Sequence, residues 1–243
     1  MGNCMPLMHT AHTKYTTHVG SKSMASAQEI TTAVDPTNHT TINTNREFHN
    51  EESATYWLPK DEDEQKRLTG QHFGCKELFG GIRDTLDFEK GISILDDMIN
   101  DYPNCTYHGC DIADVTNKVL EIKQFTYKHG NVVKGLPYAD NMFDFVHMRF
   151  FVYALRKEEW PIAIKELIRV VKPGGMLQLT EADPQEPSIV NSIAISKGQN
   201  IEIAQELEGL LSAHDNVKVV QSDDRRCNMN CYFCVRSVSA KKL

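Results

Sequence analysis

The sequence predicts an α/β fold, a parallel-dominated sheet with helices on both faces. Short apolar runs alternate with amphipathic stretches from residue 91 onward, and strands alternating with helices need crossovers that cover a parallel sheet on both sides. Two of the runs, 92–96 and 106–111, end in a carboxylate. A third cue is Lys172-Pro173-Gly174-Gly175, which separates an amphipathic stretch from a strongly apolar one, as a helix stop and tight turn would.

Residues 1–45 are dense in Thr, His, Ser and Asn. Such a segment buries too little apolar surface to offset its ordering entropy, so it reads as a disordered N-terminal tail. Met1-Gly2-Asn3-Cys4 offers a frame for a lipid anchor, myristate on Gly2 and palmitate on Cys4. Pro6 stands where that frame wants Ser or Thr, so an unmodified tail is the expectation. Residues 46–90 form a helical lead-in: Asp61, Glu62, Asp63 and Glu64 suit the positive end of a helix dipole, Leu68, Phe73, Leu78 and Phe79 follow, and Gly80-Gly81 stops it.

The domain proper spans residues 91–223. Ile92-Ser93-Ile94-Leu95-Asp96 reads as a buried strand, 106–111 as a second, 124–128 as a weaker third and 143–149 as a fourth. A helix over 157–171 places Trp160, Ile164, Leu167, Ile168 and Val171 on one stripe. A strand over 176–180, a helix around 207–211 and a strand at 217–220 follow. Residues 224–243 read as an atypical tail or last strand, so the closing hairpin is expected to be abbreviated.

Composition excludes several functions. Apolar residues make up 40% of the 243 and charged ones 24%, a globular balance. A net charge of -7 argues against a nucleic-acid surface, which needs clustered Lys and Arg. No apolar run approaches the roughly 20 residues of a membrane-spanning helix, and residues 1–20 lack a signal-peptide pattern. Seven scattered cysteines do not form a disulfide framework. A cytoplasmic setting is expected, with membrane tethering only if the tail is acylated.

Ligands of open parallel sheets bind beyond the carboxyl ends of the strands, where strand order reverses. That rule points to Asp96, Asp111, Asn131 and the stretch from Met148 to Phe150. An acid ending the second strand can accept hydrogen bonds from both hydroxyls of a ribose, although Asp111 taken alone fits a turn or cap residue equally well.

Several segments in order resemble class I S-adenosylmethionine-dependent methyltransferases: Ile94-Leu95-Asp96, Gly109-Cys110-Asp111-Ile112, Gly135-Leu136-Pro137-Tyr138, Phe143-Asp144-Phe145-Val146, and above all the stretch from Glu166 through Lys172-Pro173-Gly174-Gly175. The lead-in, with Phe48-His49-Asn50 and Gln71-His72-Phe73, is similar to a fungal-type branch of that superfamily. The resemblance implies a Rossmann-like sheet, S-adenosylmethionine as cofactor and methyl transfer to an unidentified small-molecule or protein acceptor. It also implies roles: Asp111 for the ribose, Ile112 beside the adenine, Asn131 and Val132 at the adenine edge, Asp96 at the end of the first strand, and Met148 and Arg149 on the donor and substrate side. It names no catalytic acid or base.

One departure stands out. Relatives follow the first strand with Asp-x-Gly-x-Gly, whose glycines let the backbone approach the methionine part of the cofactor. Here Asp96 runs into Asp97-Met98-Ile99-Asn100, and only nine residues separate Asp96 from Thr106, short of the roughly 10–12 that a helical crossover needs. The first βα unit is therefore shortened. The first strand is expected to pair irregularly or leave the sheet, and cofactor binding to be weak or absent. The alternative reading is a catalytically inactive methyltransferase-like binding module or a defective gene product.

Cys227, Cys231 and Cys234 match the C-x3-C-x2-C spacing that holds an iron–sulfur cluster in radical enzymes. In those enzymes most of a barrel follows, whereas nine residues follow here. Cysteines of a strand or tail are the preferred reading and no metal is expected. His147, inside the fourth strand, reads as a core or rim histidine rather than a base.

Overall fold

The computed structural model describes residues 56–57, 59, 61–63, 66–67, 71, 86–95, 102–112, 124–184, 188–227 and 233–243. The tail over 1–45, Asp96 and Cys231 lie outside the described residues. So does most of the lead-in, of which Glu62, Asp63, Lys66, Arg67 and Gln71 are helical.

Seven strands form one sheet: β1 (Ser93–Leu95), β2 (Thr106–Asp111), β3 (Phe125–His129), β4 (Phe143–Arg149), β5 (Val171–Pro184), β6 (Val217–Cys227) and β7 (Phe233–Lys242). Their order is β3-β2-β1-β4-β5-β7-β6. Every pairing is parallel except those of β7, which runs antiparallel to both β5 and β6. Strand order thus reverses between β1 and β4, and the crevice rule applies there.

β1 does not leave the sheet. It pairs in parallel with β2, Ser93 opposite Thr106 and Leu95 opposite His108, and with β4, Leu95 opposite Val146. Ten residues join β1 to β2, and extended chain of that length reaches roughly 33 Å, so the return needs no full crossover helix. Ile94 and Leu95 are both buried and belong to different core clusters, as expected of a central strand covered on both sides. Asp144 anchors the start of β1: its Oδ2 accepts from Ser93 N at 2.9 Å and from Lys172 Nζ at 2.8 Å.

The larger cluster joins β4 and β5 to helices α1 (Trp160–Val170) and α3 (Ile203–Ser212). α1 starts with Pro161 in its first turn, where the missing N–H costs nothing, and buries the stripe read from sequence, with Trp160 and Ile164 fully enclosed. Between β5 and α3 lies α2 (Ile189–Ser196), capped by Ser188, whose side chain accepts from Asn191 N. Phe88, Ile94, Tyr107, Phe145 and Met176 make the smaller cluster on the other side. No described helix is long and apolar enough to cross a membrane.

Two expectations need correction. The turn expected at 172–175 is absorbed into β5 instead: Phe143 pairs with Val171 but Phe145 with Met176, so a bulge takes up the extra residues. Gly174 takes φ 80 there, and a Cβ on Gly175 would stand 2.9 Å from Asp144 O. Second, the closing hairpin is not abbreviated. β6 has 11 residues and β7 has 10, and β7 pairs with β5 all the way from Met176 to Pro184. The polar run after Val220 looked like the end of a strand. As an edge strand, β6 carries Gln221, Ser222, Asp224 and Arg225 on exposed positions, which an antiparallel edge tolerates.

Asp144→Ala removes two hydrogen bonds to one partly buried carboxylate and should lower the unfolding free energy by about 1–2 kcal/mol. The Lys172 ammonium and the Ser93 amide hold the Asp144 carboxyl below its ordinary value, although burial opposes them. Its contribution is therefore present above the usual carboxylate range and is lost as pH falls through the folded-state value. Denaturant melts of wild type and variant should converge under acid. A gap that persists there would refute the linkage.

Candidate active site

β2 and β4 both outrun β1. Leu95 is level with His108 and Val146, so Asp111 and Arg149, the last residues of β2 and β4, each stand three residues beyond it. With β1 between them, their Cα atoms lie two strand spacings apart, roughly 10 Å. The described strands therefore enclose a notch above Leu95, at the point where strand order reverses.

The β2 wall of the notch is held by side chains bonded to main chain. Asp111 O accepts from Gly130 N at 3.0 Å and from Tyr127 Oη at 3.2 Å, and Ile112 O is 2.8 Å from His129 Nε2. The chain then turns at Asn131, whose Oδ1 accepts from Val133 N at 2.8 Å, an Asx turn that fixes the loop without tertiary help. Val132 and Val133 pack against the larger core cluster. Farther along, Leu136 N donates to Glu166 Oε1 at 2.6 Å, and Arg169 bonds Glu166, Asp140 and the carbonyls of Leu136 and Tyr138. The loop after β3 is tied in this way to α1.

The structure thus brings Asp111, Ile112 and Asn131 together at the carboxyl ends of β2 and β3, with Arg149 across the notch. Val132 and Met148 turn partly or wholly inward; Met148 is buried in the larger cluster, so its side chain packs under the notch. His147 lies within a polar row, its Nε2 3.0 Å from Thr180 Oγ1, and Thr180 continues to Ser237 and Gln178.

Burial dominates the electrostatics. It pushes the Cys110 thiol up to about 11, with the neighbouring Asp111 charge adding to the effect, so Cys110 is not a thiolate nucleophile near neutral pH. Desolvation lowers His108, whose buried Nδ1 has no hydrogen-bond partner among the described residues and whose ring packs edge-on against Tyr138 and Phe143. Among the described residues no three His, Cys, Asp or Glu side chains could hold a metal ion.

Sequence reasoning pointed to Met148, Arg149 and Phe150 on the β4 side of the notch but missed what holds that side. Phe150, just past β4, has φ 58, a left-handed conformation that a bulky residue seldom takes. The next two amides, of Phe151 and Val152, donate to Glu181 Oε1 at 2.8 Å and Oε2 at 3.0 Å. Glu181 is 0% exposed; burial pushes its carboxyl up to about 8, and the two amides oppose that shift. The available signal was an acid ending the apolar run Met176-Leu177-Gln178-Leu179-Thr180, since a charge seldom continues a buried strand without a partner.

A family model described as a methyltransferase domain matches residues 91–179, the span from β1 into β5. Over residues 91–179 the chain is thus similar to methyltransferase domains. Curated relatives include the N-methyltransferase verN of Clonostachys rogersoniana, 29% identical over 161 residues, which covers 60% of this chain and 56% of that protein. Another is the secondary metabolism regulator laeA of Coprinopsis cinerea, 26% identical over 155 residues, or 57% of this chain and 38% of that protein. The chain therefore spans about half or less of the length of these relatives. A solved S-adenosylmethionine-dependent methyltransferase from Methanosarcina mazei superposes with a TM-score of 0.53 at 18% identity, covering 67% of this chain and 96% of that one. At that identity the likeness concerns the fold.

A side chain at Gly130 would meet its neighbours too closely. Its Cβ would lie 2.6 Å from Pro137 Cδ and 2.8 Å from Cys110 Sγ, between Asp111 and Asn131. Gly130→Ala should cost about 1–3 kcal/mol in denaturant titration. An unchanged midpoint would mean that the loop is free to shift.

Proposed function

We propose that the chain is an S-adenosylmethionine-dependent methyltransferase that acts on a small-molecule or protein acceptor. The observation that carries this reading is the notch between β2 and β4 with Asp111 at its rim, at the one place where a doubly wound sheet opens to a ligand. The residues fit the nucleoside half of the cofactor. Asp111 offers carboxylate oxygens for the ribose hydroxyls, while Ile112 and Val132 offer apolar surface and Asn131 a polar edge for the adenine. When bound, the cofactor supplies an electrophilic methyl on a sulfonium. The protein's part is to align donor and acceptor, which accords with a site holding neither a thiolate nor a polarised acid/base pair.

The methionine half fits less well. No glycine follows Leu95 through Cys105, so the backbone lacks the close approach that glycine permits, and binding is weaker than in relatives with the loop. This same observation favours a second reading, a methyltransferase-like module that has lost the cofactor and binds a partner without turning over.

Calorimetric titration with S-adenosylhomocysteine separates the two. The enzyme reading expects a measurable constant, which Asp111→Ala raises at least tenfold, the loss of a charged hydrogen-bond acceptor. An Asp111→Ala protein binding as tightly as wild type would remove Asp111 from the site. No heat at millimolar ligand would favour the module. Inserting a Gly-x-Gly segment after Asp96 is expected to tighten binding, and a protein that binds no better would show that the missing loop is not what limits affinity.

A further inference from the structure

Three successive amides past the end of β4 point at β5. Phe150 N donates to Thr180 O at 2.9 Å, Phe151 N to Glu181 Oε1 at 2.8 Å and Val152 N to Glu181 Oε2 at 3.0 Å. Arg149 pairs with Thr180, so Glu181 is the first β5 residue beyond the level of β4's end. Its side chain is fully buried, and among the described residues its carboxylate is met by these two amides. A buried carboxylate without a cation is costly. Phe150 itself holds φ 58, a conformation in which the side chain of a non-glycine residue crowds its own backbone. Two unfavourable features thus meet at one turn, on the rim of the notch, and backbone strain persists only where its surroundings over-determine it.

The turn also reaches outward. Tyr153 Oη donates to Asn191 Oδ1 on α2 at 3.0 Å, Gln199 Nε2 donates to Tyr153 O, and the Trp57 ring meets the Tyr153 ring edge-on at 6.3 Å. A displaced turn would therefore carry with it the packing of α2 and of the segment that follows it.

We propose that Glu181 is the positioning residue for the β4 wall of the notch: its carboxyl oxygens accept from the Phe151 and Val152 amides and thereby keep Phe150 in the left-handed conformation that turns the chain off β4. The inference rests on the reading of the notch as the cofactor site. An apolar side chain of equal size would fill the same space but leave both amides unpaired. Gln would offer one acceptor oxygen and set an NH2 group against the other amide.

The test uses the full chain and two independent readouts, amide hydrogen exchange and S-adenosylhomocysteine titration. In Glu181→Gln, exchange at Phe151 and Val152 is expected to quicken at least tenfold while the amides of β4 keep their rates. Affinity for S-adenosylhomocysteine is expected to fall about tenfold. Adding Phe150→Gly should recover much of the protection at the two amides, because glycine takes a positive φ without steric cost. Unchanged exchange at these amides overturns the clamp, and equal acceleration throughout β4 and β5 reduces Glu181 to a core residue. Unchanged affinity beside a loosened turn overturns the positioning role. Should the wild type bind no S-adenosylhomocysteine, the cofactor reading fails, while the exchange arm still decides the clamp. If Glu181→Gln does not fold, Glu181→Asp withdraws the carboxyl group by one methylene and should show the same local acceleration. Wild-type protection at both amides in that variant overturns the proposal.

Discussion

The pairing of a three-residue strand with both its neighbours governs the rest of the molecule. β1 separates the β3-β2 half of the sheet from the β4-β5-β7-β6 half, so among the described residues the strand pairing between the halves passes through Ser93, Ile94 and Leu95. Burying one Ile or Leu side chain contributes about 1.5–3 kcal/mol, and here Ile94 and Leu95 belong to different core clusters, which ties both layers to the same strand. Thr106 N donates to Ile92 O at 3.0 Å, and Asp144 fastens Ser93 from the β4 side. The register fixed in this way decides how far β2 and β4 project past β1, and hence the depth of the notch.

The two walls of that notch are stiffened by the same physical means from different residues. On the β2 side, Tyr127 and Tyr138 hydroxyls and the His129 ring bond main-chain carbonyls at Asp111, Gly109 and Ile112. On the β4 side, a carboxylate bonds main-chain amides. Buried polar groups satisfied by main chain rigidify what they touch, because the low local dielectric makes an unmade bond expensive. A site that works by alignment depends on such stiffness more than on any reactive side chain.

Elements with a clear period were legible in the sequence. The strands at 106–111 and 143–149 emerged with the bounds expected of them, and α1 buries the stripe spaced for it, because local pattern and tertiary burial agree there. Asp111 was legible as a rim acid because strand end and residue type coincide. α2 was not. Its run Ile189-Val190-Asn191-Ser192-Ile193-Ala194-Ile195 is β-branched and fits neither template, and Ile189 and Ile195 are exposed, 78% and 57%. The Ser188 cap was the available signal. Nor could the length of β6 be read, since its polar residues face solvent. The Glu181 clamp joins side chain to backbone across 30 residues, a relation that no local pattern encodes.

The shortened connection between β1 and β2 shows why a fold and a ligand grip can part company. Parallel pairing asks of a connection only that it span the strand it returns along. The return runs from Leu95 back to the level of Ser93, opposite Thr106, about 7–10 Å along the strands, within reach of ten residues. Ladder bonds, two core clusters and the Asp144 anchor then hold β1 whatever the connection does, so the sheet is over-determined at that point. The methionine end of a nucleoside cofactor has no such redundancy, because contact with it depends on a single backbone segment approaching closely, and close approach is what a side chain forbids. Under the proposed reading, a segment without glycine there would leave the sheet, the acidic rim and the stiff walls in place while weakening one half of the ligand's contacts. A sheet of this kind keeps its architecture under changes that would first be felt in affinity.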